Sequence, residues 1–174
     1  MIITQPLQPS SGPGGSDYRH NAVTMATYGQ GESQYWIFEP ASPVPLSVPV
    51  IVFNHGWQAI KPANYGAWIN HLVRRGNIVI YPSYQTMLTP PEQMTGNAII
   101  AVNDAVQRLQ AGEHVYPELD KFAIVGHSLG GGISANMATM ASAVGLPQPG
   151  VLMFPEPGDG SNIGAHIITA NLTA

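Results

Sequence analysis

The chain predicts a three-layer α/β/α sandwich with a mostly parallel central sheet and an antiparallel hairpin at its N-terminal side. Three observations carry this. Val50-Ile51-Val52-Phe53, Ile78-Val79-Ile80-Tyr81, Phe122-Ala123-Ile124-Val125 and Val151-Leu152-Met153-Phe154 are short continuous apolar runs. Such runs suit strands covered on both faces. Segments with helical spacing of apolar residues separate them. An alternating segment precedes them, the pattern of a half-buried antiparallel strand. Strands alternating with helices stack as layers around a parallel sheet.

The elements follow in order. Residues 1–20 are rich in Pro, Gly, Ser and Gln, and Pro9-Ser10-Ser11-Gly12-Pro13-Gly14-Gly15-Ser16 has the composition of a flexible arm. The domain proper is expected over residues 21–174. Val23, Met25 and Thr27 alternate with Thr24, Ala26 and Tyr28, which predicts a strand. Tyr35-Trp36-Ile37-Phe38 is its hairpin partner across Gly29-Gln30-Gly31-Glu32-Ser33. Tyr65, Trp68, Ile69, Leu72 and Val73 recur at helical spacing before Gly76. Thr89-Pro90-Pro91-Glu92 reads as a capping box with proline at the first helical position. Behind it Ala98, Ala101, Val102, Ala105, Val106 and Leu109 form one face closed by Gly112, with Gly96 a break in the first turn. Leu129, Ile133, Met137, Met140 and Val144 form a third stripe, ended by Gly145.

Composition excludes several functions. Of 174 residues 44% are hydrophobic and only 9% charged, so Gln, Asn, Ser and Thr supply much of the surface polarity. The net charge is −4 and the one basic cluster is Arg74-Arg75, which leaves no electrostatic footprint for nucleic acid. There is no cysteine, hence no disulfide, thiolate metal site or cysteine nucleophile. No His-x-x-x-His or His-Glu-x-x-His spacing points to a metal, and no cofactor is expected. No apolar run approaches the ~18 residues of a membrane span. The first twenty residues do not read as a signal peptide, so the chain as it stands reads as cytoplasmic, or exported if its N-terminus is incomplete.

The most informative stretch is Gly126-His127-Ser128-Leu129-Gly130-Gly131. It follows a buried apolar run and opens a helical stripe. Strand, G-x-S-x-G and helix together make a nucleophile elbow, which presents the Ser128 hydroxyl above the sheet. The adjoining helix N-terminus favours a developing negative charge. His55-Gly56-Trp57 follows the apolar run ending at Phe53, and a His-Gly turn there brings a backbone N–H near the elbow. The Trp57 and Leu129 N–H groups are the expected oxyanion hole. The plainer reading makes both stretches strand-to-helix turns, with Trp57 a packing residue.

With these motifs the chain resembles the α/β-hydrolase superfamily, from about Ala22 to its end. Tyr65-Gly66-Ala67-Trp68 and Ile78-Val79-Ile80-Tyr81-Pro82 are similar to bacterial esterase and lipase-like members. The resemblance implies an eight-stranded sheet with a triad in the order serine, acid, histidine, the acid after the seventh strand and the histidine after the eighth. The chain departs from that pattern. If Phe122–Val125 is the fifth strand, Val151–Phe154 is the sixth, and the stretch from Pro155 to Ala174 is too short for two more strand–helix units. The chain is therefore expected to be truncated after the sixth strand and to show little turnover alone. His166 is the one histidine after the nucleophile helix and is the candidate base. Glu156 is the candidate acid, since some members place theirs after the sixth strand, and Asp159 is a weaker one. The resemblance places the His127 side chain away from the nucleophile.

The expected activity is hydrolysis of a small uncharged ester through an acyl-enzyme on Ser128. A non-catalytic binding domain and an acyltransferase or thioesterase remain alternatives, because fold and motif do not separate them. Tyr84, Met87, Leu88 and Trp57 are candidates to line an apolar cleft or to sit in the core. The run Val151–Phe154 is expected to form an exposed edge prone to self-association, unless Ile163, Ile167, Ile168 and Leu172 fold back over it as a short helix.

Overall fold

The computed structural model describes residues 6–158. His166, Asp159 and the segment from Ile163 to Leu172 lie outside the described residues. The strands are β1 (Ala22–Tyr28), β2 (Tyr35–Ala41), β3 (Ser47–Asn54), β4 (Ile78–Pro82), β5 (Tyr116–Gly126) and β6 (Val151–Met153). The helices are α1 (Gly66–Arg74), α2 (Pro91–Gln110) and α3 (Leu129–Met140). The sheet order is β1-β2-β4-β3-β5-β6. β1 with β2 and β2 with β4 are antiparallel, and β3 with β4, β3 with β5 and β5 with β6 are parallel.

Side-chain alternation divides the core into two layers. On one face Tyr35, Ile37, Val50, Val52, Ile78, Ile80, Phe122 and Ile124 meet Met94, Ala98, Val102 and Leu109 of α2 and Ile133 and Met137 of α3. On the other, Trp36, Phe53, Val79, Tyr81 and Val125 meet Ile69 and Val73 of α1. Tyr28 packs with the first layer and Val23 with the second, so β1 alternates as its sequence predicts, although Met25 is exposed. The parallel runs at β3, β4 and β5 need apolar residues on consecutive positions because both faces are covered.

Three local expectations are corrected. Thr89 does not cap α2: Pro90 is the N-cap and no side chain bonds the first turn. The Thr89 hydroxyl instead accepts the Thr86 N–H at 2.6 Å and donates to the Glu32 carboxylate at 3.0 Å. Gly96 does not interrupt α2, which runs unbroken over 20 residues because its buried face outweighs one glycine. The third stripe ends as helix at Met140, which is exposed, and the chain then turns so that Ala141 and Leu146 enter the core. Helix α1 closes as expected on Gly76, whose φ of +96° suits glycine.

The described part of the Pro/Gly/Ser-rich arm touches the end of α1. The Arg19 and His20 N–H groups both donate to the Arg74 carbonyl at 3.1 Å. The Arg74 guanidinium lies 3.8 Å from the Tyr18 ring centroid. Among the described residues no helix is long and apolar enough to cross a membrane.

Candidate active site

Parallel strands bring their C-terminal ends to one edge of the sheet, where the segments after β3, β4, β5 and β6 meet. β5 stops at Gly126 and α3 begins at Leu129, which leaves His127 and Ser128 to make the whole turn. Ser128 takes φ 53° and ψ −122°, a region that L-residues rarely occupy and that costs of order 1–3 kcal/mol. The surroundings hold it there. His127 N–H donates to the Asn54 carbonyl at 3.1 Å, and Ser128 N–H reaches the Pro155 carbonyl at 3.4 Å. The Ser128 carbonyl accepts from Gly131 at 2.9 Å and from Gly158 at 3.0 Å. The flanking glycines are required by contact. A Cβ on Gly126 would meet the Gly130 carbonyl and the Ser134 hydroxyl, and one on Gly130 would meet the Asn54 and His55 carbonyls. Among the described residues the Ser128 hydroxyl has no hydrogen-bond partner.

The loop after β3 lies against this turn. A Cβ built on Gly56 would sit 3.4 Å from Ser128 Cβ, so the backbone entering Trp57 and the backbone entering Leu129 meet there. Trp57 is 41% exposed and is not a core residue. Asn54 is buried and ties the loop to α3, its side-chain amide donating to Ser134 Oγ at 2.8 Å. His55 is buried flat between Tyr84, with ring centroids 4.1 Å apart, and Tyr81 at 5.3 Å. Its Nδ1 and Nε2 face the Gly56 and Ser83 carbonyls at 2.7 Å each. A neutral imidazole donates to one of these at a time. Burial pulls the His55 pKa below the usual range, and the two carbonyls only partly offset this.

Tyr65 completes the loop. Its hydroxyl accepts the Gly56 N–H at 2.9 Å and bonds His127 Nδ1 at 2.8 Å. Tyr84 is a core residue rather than a cleft residue: it is fully buried and its hydroxyl donates to the His55 carbonyl. Burial pushes its pKa well above the ordinary tyrosine value. Met87 and Leu88, from the loop after β4, are exposed. By its spacing Tyr65 belongs to an apolar helical stripe, and it stands just ahead of α1. Nothing in its spacing reveals the hydroxyl's role, which depends on two loops distant in sequence.

The remaining described histidines are engaged elsewhere. His20 faces the Pro43 carbonyl at 2.6 Å. His71 lies between Tyr18 and the Pro13 carbonyl. His114 Nδ1 is 2.8 Å from the Glu39 carboxylate and its Nε2 is 3.1 Å from the Tyr28 hydroxyl. Glu156 follows β6 on the segment that bonds the Ser128 backbone; its φ is 46° and its side chain is exposed. Among the described residues no group of three or more His, Cys, Asp or Glu could hold a metal ion.

Solved structures share this architecture. The chain aligns with a fungal esterase from Rhizomucor miehei at 20% identity and TM-score 0.66, covering 80% of this chain and 46% of that one. Carboxyl esterase 2 from Tuber melanosporum aligns at 17% identity and TM-score 0.61, with 78% and 46% covered. Esterase B from Lactobacillus rhamnosis gives 17% and TM-score 0.57, with 80% and 49% covered. The chain thus spans about half the length of these proteins. No curated protein matches it. The family model for chlorophyllase matches residues 29–171, from the turn after β1 through the Gly56 and Ser128 loops and beyond β6. With the strand order and mixed sheet of the α/β-hydrolase fold in place around that match, the chain belongs to the chlorophyllase family.

Proposed function

We propose that the protein is a serine carboxylic ester hydrolase with Ser128 as its nucleophile. The observation that carries the reading is the conformation of Ser128: a non-glycine residue at φ 53° and ψ −122°, between a strand end and a helix start. Strain of this kind persists where the surroundings over-determine it, and it fits the nucleophile elbow. In the reaction Ser128 Oγ attacks the ester carbonyl and forms the Oγ–C bond. The carbonyl oxygen takes the negative charge and is met by the Trp57 and Leu129 N–H groups. Collapse of this intermediate expels the alcohol and leaves an acyl-enzyme, which water then hydrolyses. The serine proton needs a base. The five described histidines all bond other groups, so His166 is the candidate for that role, with Glu156 as the orienting acid.

Hydrolysis of p-nitrophenyl acetate tests this, read beside Ser128→Ala and His166→Ala. A site completed by His166 loses at least about 10³-fold of its turnover with either variant, whereas little turnover in the wild-type chain rejects His166 as the base. Loss with Ser128→Ala alone would leave the nucleophile in place and reject His166. Turnover unchanged by Ser128→Ala would reject the hydrolase reading in favour of a non-catalytic domain. That second reading is favoured by one observation, the engagement of every described histidine away from Ser128. The family's name makes chlorophyll the first natural ester to assay.

A further inference from the structure

Two peptide planes flank Gly56, and they decide where the Trp57 N–H points. In the first, the His55 carbonyl accepts the Tyr84 hydroxyl and the Gly56 N–H donates to the Tyr65 hydroxyl at 2.9 Å. In the second, the Gly56 carbonyl accepts the Ala59 N–H at 3.1 Å and faces His55 Nδ1 at 2.7 Å. The Trp57 N–H is left over, with no backbone acceptor among the described residues. A trans peptide holds its N–H opposite its carbonyl, so engaging the Gly56 carbonyl aims the Trp57 N–H the other way. The two planes share Gly56 as their hinge, and glycine is the freest of hinges. Fixing the second plane therefore requires fixing the first at both ends. Tyr84 holds one end from the core, and Tyr65 holds the other.

We propose that Tyr65 is a positioning residue for the oxyanion donor, locked to the nucleophile turn through His127. The hydroxyl of Tyr65 has one proton. Its oxygen accepts from Gly56 N–H, and the hydroxyl makes its second bond to His127 Nδ1, 2.8 Å away. His127 is bonded in sequence to Ser128, and its own N–H donates to the Asn54 carbonyl at the end of β3. One hydroxyl thus ties the loop after β3 to the turn after β5 and sets the Trp57 and Leu129 donors relative to each other. The fit is close: a Cβ on Gly56 would lie 3.0 Å from His127 Nδ1 and 3.1 Å from the Tyr65 hydroxyl. The Tyr65 ring is held independently, its centroid 4.9 Å from that of Phe53. Removing the hydroxyl alone therefore leaves the packing in place.

The role rests on Ser128 being the nucleophile, and the experiment separates the two. A fluorophosphonate probe is reacted with the full 174-residue chain, and the labelling rate at Ser128 is compared between variants. Tyr65→Phe is expected to label about 10- to 100-fold more slowly, the loss typical of a displaced oxyanion donor. In ester turnover the loss should fall on kcat, with KM unchanged. Amide hydrogen exchange should rise at Gly56 and stay unchanged through α3. His127→Ala is expected to slow labelling in the same way. His127→Asn, whose side-chain amide can bond where Nδ1 stands, should retain most of the rate. Wild-type labelling at Ser128 with an undiminished rate in Tyr65→Phe overturns the positioning role alone, and so does His127→Asn as slow as His127→Ala. A wild-type chain that never labels at Ser128 overturns the nucleophile and the positioning role together. Should Tyr65→Phe fail to fold, the His127 pair decides.

Discussion

At Ser128 the backbone and the chemistry pull in different directions. A φ of 53° with ψ near −122° suits glycine, yet the position carries a serine with no partner for its hydroxyl among the described residues. Function and stability should therefore part company here. Ser128→Gly is expected to be more stable than Ser128→Ala by about 1 kcal/mol, since glycine relaxes the strained φ that alanine keeps. Both variants should lose fluorophosphonate labelling. Denaturant unfolding of the pair measures the difference, and an alanine variant equal to or more stable than the glycine one would show that the turn is not strained. The neighbouring glycines act through space rather than φ. Gly130→Ala puts a methyl group against the Asn54 and His55 carbonyls, which are backbone and cannot swing aside. It is expected to cost about 1–3 kcal/mol or more and to disturb the loop after β3, read as a lower melting temperature. The motif G-x-S-x-G made this site legible, because its glycines and its serine have separate physical reasons to be where they are. Tyr65 was not legible. Its hydroxyl partners lie 9 and 62 residues away, and no local pattern encodes that.

At the scale of elements, the apolar runs at β3, β4 and β5 and the buried face of α2 could be read directly, because burial on both faces leaves no room for polar residues. The ends were harder. Thr89-Pro90-Pro91-Glu92 has the letters of a capping box, but Thr89 is held by Thr86 and Glu32 instead. The stripe through Met140 and Val144 has helical spacing, yet a turn serves the core better there by delivering Ala141 and Leu146. One polar tie between elements has a pH signature. Tyr35 of β2 donates to the Asp104 carboxylate of α2, and Arg108 one turn on bonds the same oxygen at 2.9 Å. The Tyr35 hydrogen bond, with Arg108 behind it, lowers the Asp104 pKa. A carboxyl whose folded pKa is depressed stabilises the fold above its unfolded pKa of about 3.9, and that contribution is lost as pH falls through the folded value. Asp104→Asn should accordingly melt lower than wild type at pH 7 and converge with it as the pH drops below about 4. Melting curves that stay parallel over that range would show that the tie carries no charge-dependent stability.

At the scale of the whole molecule, the described residues form a sheet with two unlike edges. β1 carries exposed Thr24, Met25 and Thr27 and is recognisable from its alternation, with its hairpin partner across the Gly29–Ser33 loop. At the other edge β6 has the apolar composition of the buried strands, but its place after the last helix predicts an exposed edge. Val151, Leu152 and Met153 are 62%, 43% and 50% exposed. The run Val151-Leu152-Met153-Phe154 has the composition of a covered strand because period and hydrophobicity report what a strand is suited to meet, not what meets it. Among the described residues β6 pairs only with β5, which leaves one side of its backbone without a strand partner. An apolar edge with open N–H and C=O groups is a template for pairing with another chain. With only 9% of its residues charged, the chain offers little repulsion against it. The chain is therefore expected to self-associate edge to edge through β6, with a mass by light scattering that rises with concentration. A lysine on this edge should oppose the pairing, so Leu152→Lys is expected to shift the distribution to monomer while the circular dichroism spectrum stays unchanged. A single monomeric mass from micromolar to millimolar concentration in the wild-type chain would mean that β6 is already covered and would remove the edge as an association site.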